Sequence, residues 1–248
     1  MIFPQDLNSL LYNIRMRERR MRSSVISVVI PAYNEANTIG DIISNTISTM
    51  ESLKMPYEII VVDDGSNDNT RRIAAGYKAT VLSNGKNQGK GYALRKGFRY
   101  ARGDIIVTVD SDGTHKPKEI PDLINPLFNG ADIVAGSRFL GRGMNSTSRL
   151  HRLGNSLFNI TITILTGKRV TDSQTGFRAF KKQVLRSLNL ESLGYEVETE
   201  ITVKGLNNGF TFQEKPISCN ERKYSNSKLK ILSDGARILK TIFKAKFS

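Results

Sequence analysis

The sequence predicts an α/β fold built on a mostly parallel sheet with helices on both faces. Three observations predict it. Short β-branched runs alternate with amphipathic stretches of helical spacing over residues 25–135. The runs are apolar throughout, as strands covered on both faces require. Polar or acidic clusters follow three of them: Asn34-Glu35, Asp63-Asp64 and Asp110-Ser111-Asp112. In such sheets ligands bind outside the carboxyl ends of the strands, so these clusters are expected to line one crevice.

The elements follow in order. Residues 1–22 read as an appended basic arm, helical over 6–20, carrying Arg15, Arg17, Arg19, Arg20 and Arg22. The run Val25-Ile26-Ser27-Val28-Val29-Ile30 is the first strand, which Pro31 ends. Residues 37–54 place Ile39, Ile42, Ile43, Ile47 and Met50 close to helical spacing. Strands at 58–62, 80–82, 104–109 and 132–135 then alternate with helices at 69–76, 91–101 and 117–128. Beyond 137 the pattern is less regular. A helix spans 149–165, although Thr161-Ile162-Thr163-Ile164 also alternates as a strand would. A helix at 196–207 and a strand at 210–216 follow. Residues 228–246 form a basic amphipathic helix with Leu232, Ala236, Leu239 and Phe243 on one face and Ile231, Ile238 and Ile242 beside it. The division is an arm at 1–22, a catalytic domain at 23–224 and a basic C-terminal segment at 225–248.

Composition bounds the function. The chain has 248 residues, 39% of them hydrophobic, enough for one α/β domain with a sizeable core. A formal net charge of +14 calls for an anionic partner: nucleic acid, an acidic membrane surface or a phosphorylated substrate. Cys219 is the single cysteine, which excludes an intramolecular disulfide and fits a reducing compartment. The first 22 residues lack the order of a signal peptide. No apolar run reaches the length of a membrane span, and the richest, 157–165, is interrupted by Asn159, Thr161 and Thr163. A peripheral protein at the cytoplasmic face of a membrane is expected.

Four motifs carry chemistry. Asp110-Ser111-Asp112 ends a strand, and two carboxylates at i and i+2 can converge on one Mg²⁺ or Mn²⁺ if the chain turns there. The bland alternative is a turn with capping aspartates. Asp63-Asp64-Gly65-Ser66 can accept hydrogen bonds from a base edge or ribose hydroxyls, or merely cap the next helix. Pro31-Ala32-Tyr33-Asn34-Glu35 joins a stacking aromatic to a carboxylate. Asn87-Gln88-Gly89-Lys90-Gly91 is glycine-rich, basic and opens a helix, so it could approach a diphosphate, with Lys90 among the donor-binding residues. His115 and His151 are isolated, and Tyr195 and Phe177 read as core.

In this order these motifs resemble the family 2 glycosyltransferases of the GT-A (Rossmann-like) fold, over about residues 25 to 220. The resemblance implies that Pro31, Tyr33, Glu35 and Asp63 hold the nucleoside of a nucleotide-sugar. It places the metal-diphosphate on Asp110 and Asp112, with Ser111 and Asp64 beside them. Gly136-Ser137-Arg138-Phe139, Arg149, Arg152, the run 172–178, the run 194–198 and the run 221–229 further resemble the dolichyl-phosphate hexosyltransferases. These move a hexose from a UDP- or GDP-linked donor onto a polyprenyl phosphate. The match departs at Thr114, where many members carry Gln, and at Lys116, which precedes Pro117; the third metal contact and the donor identity stay open there.

A phosphate monoester is already a nucleophile and needs no general base, but it must be drawn into an acidic crevice. Arginines suit that task. Arg138, Arg222, Arg152 and Arg149 are the candidates, and Asp172, Gln174 and Glu198 would position the sugar or the arginines. A family 2 enzyme with a saccharide acceptor remains an alternative and would need Glu198 or Asp172 as base. A sugar-phosphate nucleotidyltransferase would carry a glycine-rich basic signature after the first strand, where Pro31-Ala32-Tyr33-Asn34-Glu35 stands instead. A nucleic-acid-binding module is disfavoured, because acidic clusters occupy the strand ends and basic residues do not interleave with aromatics.

Overall fold

The computed structural model describes residues 11, 12, 16, 21, 23–140, 149–220 and 231–247, with backbone alone at 149–152 and 231–233. The helix expected at 6–20, and Arg222, lie outside the described residues or largely so.

Among the described residues seven strands form one sheet in the order β3-β2-β1-β4-β6-β5-β7. They are β1 (Ile26–Ala32), β2 (Tyr57–Asp63), β3 (Thr80–Ser83), β4 (Ile105–Thr108), β5 (Ile133–Ser137), β6 (Arg178–Lys181) and β7 (Phe212–Pro216). All neighbours run parallel except β6, which is antiparallel to both β4 and β5. The mostly parallel sheet is thus as the apolar runs imply. β6 was absent from the expected elements. It has four residues, and its first, Arg178, occupies a core position that hydrophobic pattern does not reveal.

Helices cover both faces. α1 (Ile39–Leu53) and α4 (Ile120–Ile124) bury Ile39, Ile43, Met50, Leu123 and Ile124 with Val28, Ile30 and Val107 of the sheet. On the other face α3 (Lys90–Tyr100), α6 (Lys182–Ser187) and α7 (Val197–Asn207) bury Leu94, Val184 and Ile201 with Val29, Ile60, Ile106 and Phe180. A short α2 (Thr70–Ala74) joins β2 to β3. The single helix expected at 117–128 is broken into a 3₁₀ turn, α4 and a second 3₁₀ turn. Pro121 and Pro126 supply no N–H there, so a continuous α-helical ladder cannot form.

Pro31 does not end β1; it pairs with Val62 of β2 inside the strand. Val29 accepts from Val109 N, so its peptide groups face β4, and those of Pro31, two residues on, face the same side. β4 has already stopped at Thr108, opposite Val29, and the missing N–H costs no ladder bond.

α5 (Arg149–Thr166) settles the ambiguity at 161–164 in favour of helix. Thr161 and Thr166 turn their hydroxyls back onto the carbonyls of Leu157 and Ile162. Ile162 is buried while Ile160 and Ile164 are exposed, the burial period of a helix and not of a strand. α8 (Ile231–Lys246) packs beside α5, with Ile238, Ile242 and Ala245 against Phe158, Ile162 and Val203. The apolar face expected at the C-terminus is therefore divided. Ile238 and Ile242 point inward, whereas Ala236 and Phe243 point outward.

Candidate active site

The carboxyl ends of β1, β2 and β4 open onto one cavity of about 880 Å³. Pro31, Tyr33, Glu35, Asp64, Lys90, Asp110, Ser111 and Asp112 all line it, as the strand-end argument requires. Asp63 does not. It is buried, accepting from Ser66 N at 3.2 Å and from the Ser83 hydroxyl at 3.4 Å, so it closes the turn after β2; the next helix starts from Asn69 and is not capped by Asp63. Asp64 reaches the cavity wall, but Asn84 Nδ2, Gln88 N and Gly89 N already bond its carboxylate at 2.6–3.2 Å. It clamps the 84–89 loop. Gly89, in turn, is glycine for packing. Its φ is +101°, and a Cβ there would collide with the carbonyl of Leu193.

Asp110 follows β4, and its carboxylate lies over Gly176, where an added Cβ would meet Asp110 Oδ1 at 2.5 Å. Lys90 Nζ stands 2.6 Å from Asp110 Oδ1 and 2.7 Å from Glu198 Oε1. Glu198 Oε1 makes no well-directed hydrogen bond among the described residues, so this second contact is a close ion pair. Burial alone would lower the Lys90 pKa; Asp110 and Glu198 together hold it far above the usual lysine range. Burial pushes Glu198 up, partly opposed by Lys90.

Asp112 is nearly buried and oriented by Thr114, whose N–H and hydroxyl both donate to Oδ1, at 3.0 and 2.6 Å. Thr114, at the position where the family pattern departs, thus orients a carboxylate. Ser111 offers its carbonyl to Thr38 Oγ1 at 2.7 Å, which ties the acidic turn to the start of α1.

His115 is no bystander. Its buried ring stacks on Phe177 with centroids 5.2 Å apart, and Nδ1 accepts from Asp110 N at 3.4 Å. Burial lowers its pKa, and Nδ1, which accepts from Asp110 N, has no proton to give. The 3.8 Å approach to Asp110 Oδ2 is therefore not an ion pair. Tyr195 is likewise no core residue: it lines the cavity, with Lys90 Nζ 5.9 Å from its ring centroid. Phe177 is fully buried, as expected.

Arg138 and Asp172 come together as a bidentate pair, Nε to Oδ2 at 2.7 Å and Nη2 to Oδ1 at 2.8 Å. Burial works against the guanidinium charge, and Asp172 and Asp110 raise its pKa regardless. Asp172 holds the arginine, and neither of the two is among the residues lining the cavity. Gln174 turns to the interior, donating to Thr199 Oγ1 and Ser173 Oγ. Arg178 is wholly buried and bonds Thr175 O, Thr202 Oγ1 and Ser173 O, stitching the 173–175 loop to α7. Burial depresses its pKa. The side chains of Arg149 and Arg152 lie outside the described residues.

Sequence reasoning missed one cavity residue of consequence. Arg237 on α8 lines the mouth, with Asp234 one turn before it at 3.8 Å. The sequence marks it only as one cation of the basic segment 225–248; the docking of α8 is what brings it to the cavity.

Among the described residues no three His, Cys, Asp or Glu side chains converge as a self-sufficient metal centre. Two carboxylates, one seated in the cradle that Gly176 leaves, fit a hard cation that takes its other ligands from water and phosphates.

The chain matches the model of glycosyl transferase family 2 over residues 27–188. It is 35% identical to an uncharacterised protein of Methanocaldococcus jannaschii, over 86% of this chain and 89% of that one. It is 32% identical to the dolichol-phosphate mannosyltransferase of Pyrococcus furiosus, over 83% of this chain but 59% of the relative's length. Among solved structures it superposes on glucosyl-3-phosphoglycerate synthase of Mycobacterium tuberculosis, crystallised with Mn²⁺, UDP and phosphoglyceric acid. The TM-score is 0.75 at 25% identity, over 94% of this chain and 82% of that one. With the parallel sheet and its acidic strand-end cavity, these matches make the chain a member of glycosyl transferase family 2, a glycosyltransferase of GT-A-like fold.

Proposed function

We propose that this enzyme transfers a hexose from a UDP- or GDP-linked donor to a polyprenyl (dolichyl) phosphate, with inversion at the anomeric carbon. One observation carries the acceptor class. The two carboxylates considered as base for a hydroxyl acceptor are each paired with a cation, Asp172 with Arg138 and Glu198 with Lys90, and neither is among the residues lining the cavity. A phosphate oxygen needs no base. It attacks the anomeric carbon directly as the bond to the nucleoside diphosphate breaks.

The residues divide the work. Tyr33 and Glu35 face the nucleoside, and Pro31 shapes the wall. Asp110 and Asp112 would hold Mg²⁺ or Mn²⁺, which neutralises charge on the departing diphosphate. Lys90 supplies a second positive charge beside Asp110. Arg138, kept in place by Asp172, draws the acceptor phosphate toward the cleft. Arg222 and Arg152 are assigned to the same task from the sequence. The catalytic domain comprises 23–224, flanked by the basic segments 1–22 and 225–248.

The dolichol-phosphate mannosyltransferase relative supports the lipid acceptor. The phosphoglycerate-bound structure supports a second reading with the same chemistry, a soluble phosphorylated acceptor. Among the described residues no helix is long and apolar enough to cross a membrane. A peripheral position at the cytoplasmic face fits the lipid reading, with Lys240 exposed on α8 toward an acidic surface. The acidic cleft argues against nucleic acid as partner.

A thermal-shift series tests the donor half. A UDP- or GDP-sugar with Mn²⁺ at 100 times its Kd raises stability by about 2.7 kcal/mol. Equal melting curves for the whole donor panel, with and without metal, would contradict the reading.

A further inference from the structure

α5 presents an outward stripe of four large apolar side chains. Leu153, Leu157, Ile160 and Ile164 are 69%, 53%, 56% and 75% exposed. Their spacing of four, three and four residues puts them on one helix face across three turns. The opposite face is fully used: Phe158 and Ile162 pack against α7 and α8. The stripe therefore does not help hold the domain together.

The charge around it says what it meets. From Arg149 to Val170 there are four cations and no carboxylate, and none of the four lies between 153 and 166. Arg149 and Arg152 precede the stripe; Lys168 and Arg169 follow it. An uncharged apolar stripe bounded by cations suits a bilayer interface, where the stripe sinks below the headgroups and the cations stay among them. A second copy is electrostatically disfavoured, since each brings the same cation-bounded face and a net charge of +14.

We propose that the outer face of α5 docks on a lipid bilayer carrying anionic headgroups. The geometry gives the docking a purpose. Asn159, on the inward side, donates to Thr171 O at 2.6 Å and accepts from Ser173 N at 2.9 Å. Those residues flank Asp172, which holds Arg138. A bilayer seated on α5 would thus lie beside the arginine assigned to the acceptor phosphate. The proposal rests on the lipid-acceptor reading for that purpose only, and it is measured without the acceptor. It places the membrane contact on α5 and not on α8, whose Ile238 and Ile242 are packed inward.

Co-sedimentation of the full chain with polyprenyl-free vesicles tests it. Phosphatidylglycerol-rich vesicles should pellet the protein, and phosphatidylcholine vesicles should pellet much less. The variant Leu157→Gln/Ile160→Gln/Ile164→Gln should lose about tenfold or more in partitioning while keeping its melting temperature and nucleotide-induced shift. Lys168→Gln/Arg169→Gln should narrow the difference between the two vesicle types. Absence of wild-type binding, or undiminished binding by the folded triple variant, overturns the proposal. So does a triple variant that turns a dimer into a monomer by sedimentation velocity with vesicle binding unchanged. Failure of sugar transfer to lipid phosphate alongside intact vesicle binding would count against the acceptor reading alone.

Discussion

Asp112 and Gly176 bear most directly on the chemistry at the scale of single residues. Asp112→Asn keeps the shape and the Thr114 hydrogen bonds at Oδ1 but removes a charge from the cation site. It should lower kcat/KM by about 100-fold or more with the melting temperature little changed. Steady-state transfer assays beside thermal melts check this, and near-normal rates would remove the metal role. Gly176→Ala acts from the other side, pushing a methyl group against the Asp110 carboxylate. Comparable loss of the metal-dependent thermal shift is expected, with only modest destabilisation. The Asp110–Asp112 pair was legible because it ends an apolar strand. The role of Gly176, 66 residues later, was not, since only the antiparallel return into β6 brings it under Asp110.

Arg178 shows the same limit. Its three buried hydrogen bonds to Ser173, Thr175 and Thr202 are invisible to pattern, which reads a charged residue as surface. Arg178→Met should destabilise by about 3 kcal/mol or more, because two carbonyls and a hydroxyl lose a buried partner. Denaturant unfolding measures this; a loss below 1 kcal/mol would show that the interior repacks.

Among the elements, helices and strands that hydrophobic periodicity defines were legible to within a few residues. Those shaped by proline, by short length or by antiparallel insertion were not. α7 links element to site. Its Glu200 accepts from Glu191 N, Ser192 N and Lys204 Nζ, fastening the 191–195 loop that packs on Gly89. Burial would raise the Glu200 pKa, but the bonds from Lys204, Ser192 and Glu191 outweigh it and hold it below the ordinary value of 4.5. A depressed carboxylate stabilises the fold fully above its unfolded pKa. That contribution disappears as pH falls through the lower folded value. The melting temperature of the wild type should therefore fall below about pH 4.5, and Glu200→Gln should flatten that part of the profile. An unchanged slope in the variant would place the acid sensitivity elsewhere.

The molecule as a whole combines an excess of positive charge with an acidic cleft. The basic surface was legible as a demand for an anionic partner. Which surface meets it was not, because docking of α8 directs Arg237 to the cavity and leaves α5 with the exposed stripe. Sequence periodicity finds amphipathic helices but does not say which apolar faces the tertiary structure uses. Phosphate as the attacking group rests on the pairing of Asp172 and Glu198 with cations. The most direct measurement is transfer of labelled sugar from each UDP- and GDP-linked donor, with Mn²⁺ or Mg²⁺, to polyprenyl phosphate, to phosphoglycerate and to free saccharides. Metal-dependent, inverted product on polyprenyl phosphate, with little on the saccharides, is the result expected. Efficient transfer to a saccharide hydroxyl and none to any phosphate, from well-folded protein, would contradict it.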